Sequence, residues 1–240
     1  MKKITKKDIV YLAIIMLLVA AVGTVSILYG FSLAKQNQDE PSYYDKKCAA
    51  FALENANFSK GQIVFIGDSI TDGYPLNDYF SDLPLATYNR GIGGDRTSGV
   101  YRRLKTSLFD LAPSIVVIMI GINDINSGST NDEIMTNYKD IIKEIQTNLP
   151  SAKIICESVL PMHTKVEQWG IDLAARTAQI KDLNARIKAF AEEKGCTYVD
   201  LYSHFADEND HLIDAYTADG LHPIAAGYAV WTSVIKPYLI

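Results

Sequence analysis

The feature that most constrains the fold is the unbroken apolar stretch IVVIMI at residues 115–120, which ends at Gly121. A continuous apolar run of this length is typical of a central strand that is covered on both faces. Further strand-like runs are predicted at 62–67, 86–91, 152–160 and 196–202. The sequence therefore predicts five strands, with the run at 114–121 in the middle of their sheet.

Helical patterns separate these strands. The segment Asn131 to Asn148, for example, has apolar residues at spacings of three and four, which place them on one face of a helix. The other helices are predicted at 97–110, 172–194 and 224–239. Strands that alternate with helices indicate a parallel sheet, so we predict a three-layer α/β/α domain. An active site in such a fold is expected at the carboxyl ends of the strands.

Residues 9–34 form a separate segment of 26 residues without a formal charge, preceded by Lys2, Lys3, Lys6 and Lys7. As a helix, the segment would be about 39 Å long, more than a hydrocarbon core of about 30 Å. The preceding lysines predict a transmembrane anchor with its N-terminus in the cytoplasm and the rest of the chain outside. The alternative is a cleavable signal peptide, for which 32–34 (Ser-Leu-Ala) offers a cleavage pattern.

The anchor divides the chain into four predicted parts: a cytoplasmic stub at 1–8, the transmembrane segment at 9–34, a tether at 35–60 and a catalytic domain at 61–240. A weak helical pattern at 48–58 is consistent with docking of this part of the tether on the domain. The net charge of the whole chain is −5. This acidic balance argues against nucleic-acid binding, which usually needs a basic surface.

The three cysteines, Cys48, Cys156 and Cys196, are too few for a disulfide scaffold. They show no spacing typical of a zinc site, and we predict that they are small buried apolar residues. No metal or organic cofactor is expected, and the sequence leaves the oligomeric state open.

Two segments at strand ends and helix starts could supply a nucleophile and its base. Ser69 follows the first strand, where a serine can act as a nucleophile and its own N–H can help bind an oxyanion. The alternative is that Ser69 caps a helix. Asp219 and His222 precede the last helix, and a carboxylate three residues from a histidine can orient its imidazole. The alternative is that Asp219 and His222 only cap the start of this helix.

Two further loops could supply hydrogen-bond donors. Residues 91–95, here called the glycine loop, contain three glycines, so their backbone N–H groups can face a ligand. Asn123 follows the central strand, where its amide can point into the same crevice. Both loops are alternatively ordinary turns. Together, the nucleophile, the base with its orienting carboxylate and the donors are the set that acyl transfer needs.

Four ordered blocks resemble the SGNH hydrolases, also called GDSL esterases or lipases, most of all their branch of platelet-activating-factor acetylhydrolase-like and lysophospholipase-like enzymes. The blocks are 67–70 (Gly-Asp-Ser-Ile), Gly94 within 89–95, Gly121 with Asn123 and Asp124, and Asp219 with His222 and Pro223. The resemblance covers about residues 60–240 and implies a flavodoxin-like fold. It also implies a Ser69–His222–Asp219 triad and an oxyanion hole formed by Ser69, Gly94 and Asn123.

The resemblance and the predicted topology together suggest an extracytoplasmic serine esterase that acts on small-molecule, lipid or glycan esters. The leading hypothesis is a short-acyl, O-acetyl esterase, because the loop at 161–171 is mixed in polarity and no long apolar lid is evident. One alternative is a lysophospholipase acting on longer acyl chains. Another, of a different class, is a non-catalytic surface-binding module that keeps the fold.

Overall fold

The structure, a computed structural model, describes the backbone of residues 5–39 and 41–240. It describes their side chains except at 9, 10, 12, 13, 17 and 29–39. The first helix, α1, covers Lys6–Asp39. Within the described residues, no helix is long and apolar enough to cross a membrane. The predicted transmembrane anchor at 9–34 is therefore not confirmed.

The chain forms two units, of which the second covers Lys46–Ile240. This second unit thus begins before residue 61, the boundary that the sequence suggested for the catalytic domain. Helix α2 (Tyr43–Glu54) carries the chain into it. Phe51 of α2 is buried, so the helical pattern predicted at 48–58 does include a docking helix.

The second unit contains the predicted five-stranded sheet, with β1 at Ile63–Gly67, β2 at Thr87–Gly91, β3 at Ile115–Met119, β4 at Lys153–Glu157 and β5 at Thr197–Val199. All neighbouring strands are parallel, and their order is β2-β1-β3-β4-β5. This is the flavodoxin-like order. Every residue of β1 and β3 is buried, as the continuous apolar runs predicted. The register pairs Gly67 with Gly91 and with Met119, so these three strands end at one edge.

The helices of the second unit follow the strands in the expected alternation. They are α3 (Ser69–Asp72), α4 (Leu76–Phe80), α5 (Thr97–Arg102), α6 (Ile122–Asn126), α7 (Asn131–Asn148), α8 (Leu173–Glu193), α9 (Tyr202–Phe205) and α10 (Ala225–Ile235). Short 3-10 turns lie at Thr164–Trp169, Asp214–Tyr216 and Lys236–Tyr238. The predicted helix at 97–110 is shorter, since α5 ends at Arg102 and a π turn follows at Lys105–Phe109.

The two faces of the sheet are visible at the end of β4. The Cys156 thiol lies beside the Tyr138 hydroxyl of α7. Glu157 accepts a hydrogen bond from Trp231 Nε1 of α10 at 2.6 Å. Because successive strand residues point to opposite faces, α7 and α10 cover opposite sides of the sheet. This confirms the predicted three-layer α/β/α architecture.

None of the three cysteines, all of which lie in the described part of the chain, forms a disulfide bond. Cys156 is buried, as predicted, whereas Cys48 and Cys196 are half-buried.

Candidate active site

A chain of hydrogen bonds joins Ser69, His222 and Asp219. Ser69 Oγ lies 2.9 Å from His222 Nε2, and His222 Nδ1 lies 2.7 Å from Asp219 Oδ2. The structure thus brings together three predicted residues, although Ser69 and His222 are 153 positions apart in the chain. Ser69 is the first residue of α3, two residues after the end of β1, and the other two residues lie in the turn before α10.

The alternative function of Ser69 as a helix cap is not what the structure shows. Asp68 is the N-cap of α3, and its Oδ1 accepts a hydrogen bond from the N–H of Ile70 at 3.0 Å. Because Asp68 caps the helix, the hydroxyl of Ser69 is available to interact with His222.

The Asp219 carboxylate organises the turn and orients the imidazole at the same time. Its Oδ1 accepts the N–H groups of Leu221 (2.9 Å) and His222 (2.8 Å), while Oδ2 faces the imidazole. The N-cap residue of α10 is Ile224, whose side chain makes no capping hydrogen bond. Asp219 and His222 are therefore not a pair that caps α10.

The pKa of Asp219 determines which nitrogen of the His222 imidazole carries the proton. Partial burial raises this pKa, but the hydrogen bonds from His222 and Leu221 outweigh burial and lower it to about 2. Asp219 is thus ionised near neutral pH and can only accept hydrogen bonds. The proton of the neutral imidazole then lies on Nδ1, which leaves Nε2 free to accept the hydroxyl proton of Ser69.

The other predicted donors lie after the ends of β2 and β3, with Gly94 in the glycine loop and Asn123 in α6. Gly94 is exposed and has a φ of +75°, and a Cβ added there would meet nothing within 4 Å. The glycine is thus required by the backbone conformation rather than by crowding. Asn123 lies near the start of α6, and its Nδ2 donates to the carbonyl oxygen of Asp95 at 2.9 Å. One amide hydrogen of Asn123 is used in this way, which fixes the side chain and leaves its second N–H for a ligand.

Buried carboxylates surround these loops. Burial raises the pKa of Asp68 to about 7; the Ile70 N–H and His222 oppose the shift, and nearby Asp95 and Asp124 add to it. Burial also raises the pKa values of Asp95 and Asp124. Asp124 accepts hydrogen bonds from the N–H (3.0 Å) and hydroxyl (2.6 Å) of Thr97, and thereby joins α6 to the start of α5.

Sequence reasoning missed Arg103, a buried cation that connects the strand ends. Its guanidinium donates to the carbonyl oxygens of Gly67 (2.8 Å) and Arg90 (2.7 Å), the last or next-to-last residues of β1 and β2. It also donates from Nε to Asp95 Oδ2 at 2.8 Å. The available signal was its position three residues after Val100 and one before Leu104, two buried apolar residues of the helix predicted at 97–110.

The other histidines, His163, His204 and His211, are not part of this hydrogen-bonded triad. His163 is the N-cap of the 3-10 turn at Thr164–Trp169, where its Nδ1 accepts the N–H of Lys165 at 3.1 Å. His204 and His211 lie in α9 and in the loop that follows it.

The sequence profile of the GDSL-like Lipase/Acylhydrolase family matches residues 65–230, a segment that contains Ser69, Asp219 and His222. This protein belongs to the family. Human platelet-activating factor acetylhydrolase IB subunit alpha2 is 35% identical over 106 residues, or 43% of this chain and 45% of the human subunit. The match thus spans less than half of that relative's length.

Solved structures agree with the family assignment. A GDSL-like lipase from Bacteroides thetaiotaomicron has a TM-score of 0.73 and 28% identity, and the match covers 82% of this chain and 98% of the lipase. An acetylxylan esterase from Geobacillus stearothermophilus, in a catalytic mutant form, has a TM-score of 0.61 and 21% identity, with 76% of this chain and 95% of the esterase covered. At that identity the esterase shows a shared fold alone. The family assignment and the lipase support an ester-bond hydrolase.

Proposed function

We propose that the protein is a serine esterase that hydrolyses short-acyl esters of carbohydrates through an acyl-enzyme intermediate. The observation that carries this proposal is the hydrogen-bonded chain from Ser69 through His222 to Asp219. A serine hydroxyl bonded to an imidazole, which is in turn oriented by a carboxylate, is the arrangement that activates a serine nucleophile.

The reaction follows from the positions of these atoms. His222 Nε2 takes the hydroxyl proton as Ser69 Oγ attacks the ester carbonyl, and ionised Asp219 stabilises the imidazolium that forms. The N–H groups of Ser69 and Gly94 and the amide of Asn123 stabilise the negative oxygen of the tetrahedral intermediate. The imidazolium then protonates the departing alcohol. In the second half, His222 activates water, which attacks the acyl-Ser69 ester and releases the acid.

The test is hydrolysis of p-nitrophenyl acetate by purified variants. We expect Ser69→Ala and His222→Ala to lose measurable turnover, whereas the exposed controls Ser81→Ala and His204→Ala keep the wild-type rate. A fluorophosphonate probe should label the wild type and fail to label Ser69→Ala. Full activity in either site variant, or an unlabelled folded wild type, would contradict the proposal and favour a non-catalytic binding module.

The preference for a short acyl group draws on the relatives. The human subunit is named an acetylhydrolase and the Geobacillus protein an acetylxylan esterase, so acetyl is the acyl group that both names share. A panel of p-nitrophenyl esters of increasing chain length tests this part. The highest kcat/KM is expected for acetate, and a preference for chains beyond about eight carbons would favour a lysophospholipase.

The preference for a carbohydrate draws on the loop at 161–171. The 3-10 turn in this loop packs against the turn of Asp219 and His222, since the N–H of His163 donates to the carbonyl oxygen of Gly220 at 2.9 Å. Trp169 ends the 3-10 turn with half of its surface exposed, next to the exposed polar residues Glu167 and Gln168. An exposed ring among polar groups suits a sugar ring, which offers both an apolar face and hydroxyl groups.

A location outside the cytoplasm, with the N-terminal segment as its anchor, is proposed from the sequence alone. It is supported by the 26 uncharged residues at 9–34 and the lysines before them. Fractionation of cells that make the full chain tests it, with external protease as the probe of sidedness. Recovery of the intact chain in the soluble cytoplasmic fraction would contradict it.

A further inference from the structure

The carboxylate of Asp72 lies between the glycine loop and helix α2. Its Oδ2 accepts a hydrogen bond from the N–H of Gly93 at 3.1 Å. Its Oδ1 forms an ion pair with Lys47 Nζ at 2.7 Å, in which both side chains are largely shielded from water. Asp72 is the last residue of α3, the short helix that begins with Ser69. One carboxylate thus connects the nucleophile's helix, the loop of Gly94 and α2.

The backbone around Asp72 is held against the glycine loop. A Cβ added to Gly91 would collide with the backbone N of Asp72, so the end of β2 is in direct contact with α3. The amide of Asn89 donates to the carbonyl oxygens of Thr71 (2.6 Å) and Tyr74 (3.0 Å), and its Oδ1 accepts the N–H of Gly91 at 2.8 Å. These contacts leave the Asp72 carboxylate at a defined distance from Gly93.

The glycine loop needs such a contact because Gly93 and Gly94 are consecutive glycines, with wide backbone freedom. The hydrogen bond to Asp72 restrains the N–H of Gly93, and thus the peptide plane next to the one that carries the N–H of Gly94. A donor in an oxyanion hole is effective when it is already oriented before the reaction.

We propose that Asp72 is a positioning residue for the oxyanion loop, and that Lys47 holds its carboxylate in place. Helix α2 lies outside the matched residues 65–230, yet through Lys47 it becomes part of the support of the active site. This inference rests on the proposed esterase function, in which the N–H of Gly94 stabilises the oxyanion.

Three variants separate the two roles of the carboxylate. Asp72→Ala removes the acceptor and the charge, and we expect kcat for p-nitrophenyl acetate to fall by about 10- to 100-fold with little change in KM, since an oxyanion donor acts in the transition state. Asp72→Asn keeps an acceptor oxygen for Gly93 and should retain most of the activity. Lys47→Met keeps the aliphatic length without the charge, and kcat should fall by about 3- to 10-fold.

The matched control is Lys236→Met, because Lys236 forms an ion pair of the same kind with Asp82 (2.7 Å) on the surface. This variant should keep the wild-type kcat. Hydrogen–deuterium exchange of the full chain gives a readout that does not depend on activity. Exchange in the peptide that covers residues 89–96 should be faster in Asp72→Ala and Lys47→Met than in the wild type and Lys236→Met.

Several results would overturn the inference. They are wild-type kcat in Asp72→Ala, equal losses in Asp72→Asn and Asp72→Ala, or unchanged exchange in both Asp72→Ala and Lys47→Met. If Asp72→Ala does not fold, the kcat and exchange of Lys47→Met decide the question, with wild-type values counting against it. Ser69→Ala is assayed in parallel. If this variant remains active, the esterase mechanism fails, whereas the exchange result still tests the contact of Asp72 with Gly93.

Discussion

Arg103 and Asp95 form an ion pair that is almost entirely excluded from water. Nε of Arg103 lies 2.8 Å from Oδ2 of Asp95, and only 2% and 3% of the two side chains are exposed. Because the same guanidinium also donates to the carbonyl oxygens of Gly67 in β1 and Arg90 in β2, it links the ends of these two strands to the glycine loop.

This pair predicts a large effect on stability. Arg103→Met leaves a buried carboxylate without its partner, and we expect the free energy of unfolding to fall by about 3–5 kcal/mol. The control is Arg186→Met, which removes a half-exposed guanidinium from its pairs with Asp132 and Asp182 and should cost less than about 1 kcal/mol. Urea unfolding followed by circular dichroism measures both. Equal losses of unfolding free energy in the two variants would show that the buried pair of Arg103 does not stabilise the fold more than the half-exposed pairs of Arg186.

Asn123 predicts a loss confined to catalysis. Asn123→Ala should lower kcat by about 10²–10³, the usual effect of losing one oxyanion donor. The melting temperature should change little, since the described partner of the Asn123 amide is a single carbonyl oxygen, that of Asp95. Steady-state kinetics with p-nitrophenyl acetate measure this, with the exposed Asn77→Ala as the control. A wild-type rate in Asn123→Ala would remove Asn123 from the oxyanion hole.

Glu157 predicts a pH dependence of stability. Burial raises the pKa of this carboxyl from 4.5 to about 8, while the hydrogen bond from Trp231 opposes the shift. Between these two pH values the folded protein retains a proton that the unfolded chain releases, so stability falls as the pH rises from about 4.5 to 8.

Glu157→Gln keeps an acceptor oxygen for Trp231 and has no titrating group. The melting temperature of this variant minus that of the wild type should be at least about 2–4 °C more positive at pH 8 than at pH 5. About 1 kcal/mol of stability gives a shift of this size in a chain of this length. Glu208→Gln, at an exposed position, should follow the wild type. If the melting temperatures of the wild type and Glu157→Gln change by the same amount across this pH range, the raised pKa of Glu157 is refuted.

Trp169 predicts an effect on one class of substrate. Trp169→Ala should raise KM for an acetylated xylo-oligosaccharide by about 5- to 10-fold, since loss of stacking on a ring costs about 1 kcal/mol. The constants for p-nitrophenyl acetate should stay the same, because this substrate has no sugar to stack. Tyr101→Ala removes another exposed aromatic ring and serves as the control. A similar change with both substrates, or with neither, would count against a sugar platform.

The architecture was largely predictable because β1 and β3, at the centre of the sheet, are buried on both faces. Their apolar runs are continuous, and Gly67, Gly91 and Gly121 lie at or close to the ends of β1, β2 and β3. Helix α7 starts at Asn131 as predicted, with Thr130 and Glu133 in a capping box. These are local signals, which a sequence carries without reference to the rest of the fold.

The supporting residues of the site were not predictable, since their partners are remote in the chain. Arg103 reaches Gly67 across 36 positions, and Lys47 reaches Asp72 across 25. A charged residue near a helix face is usually solvated, so the position of Arg103 beside Val100 and Leu104 is a weak signal, and nothing local distinguishes Lys47. The predicted helix at 97–110 was too long for a related reason: the chain leaves the α-helical conformation at Arg103, where the side chain turns inward to its hydrogen bonds.

The separation of Ser69 and His222 in the sequence has a consequence for when activity can appear during folding. Ser69, the proposed nucleophile, lies just after the first strand, whereas His222, its proposed base, lies just before the last helix, which contains the buried Trp231. A chain that has not yet docked α10 has a nucleophile without a base. Hydrolysis therefore requires that α10 has docked on the rest of the domain, and ester turnover reports on chains in which this contact has formed.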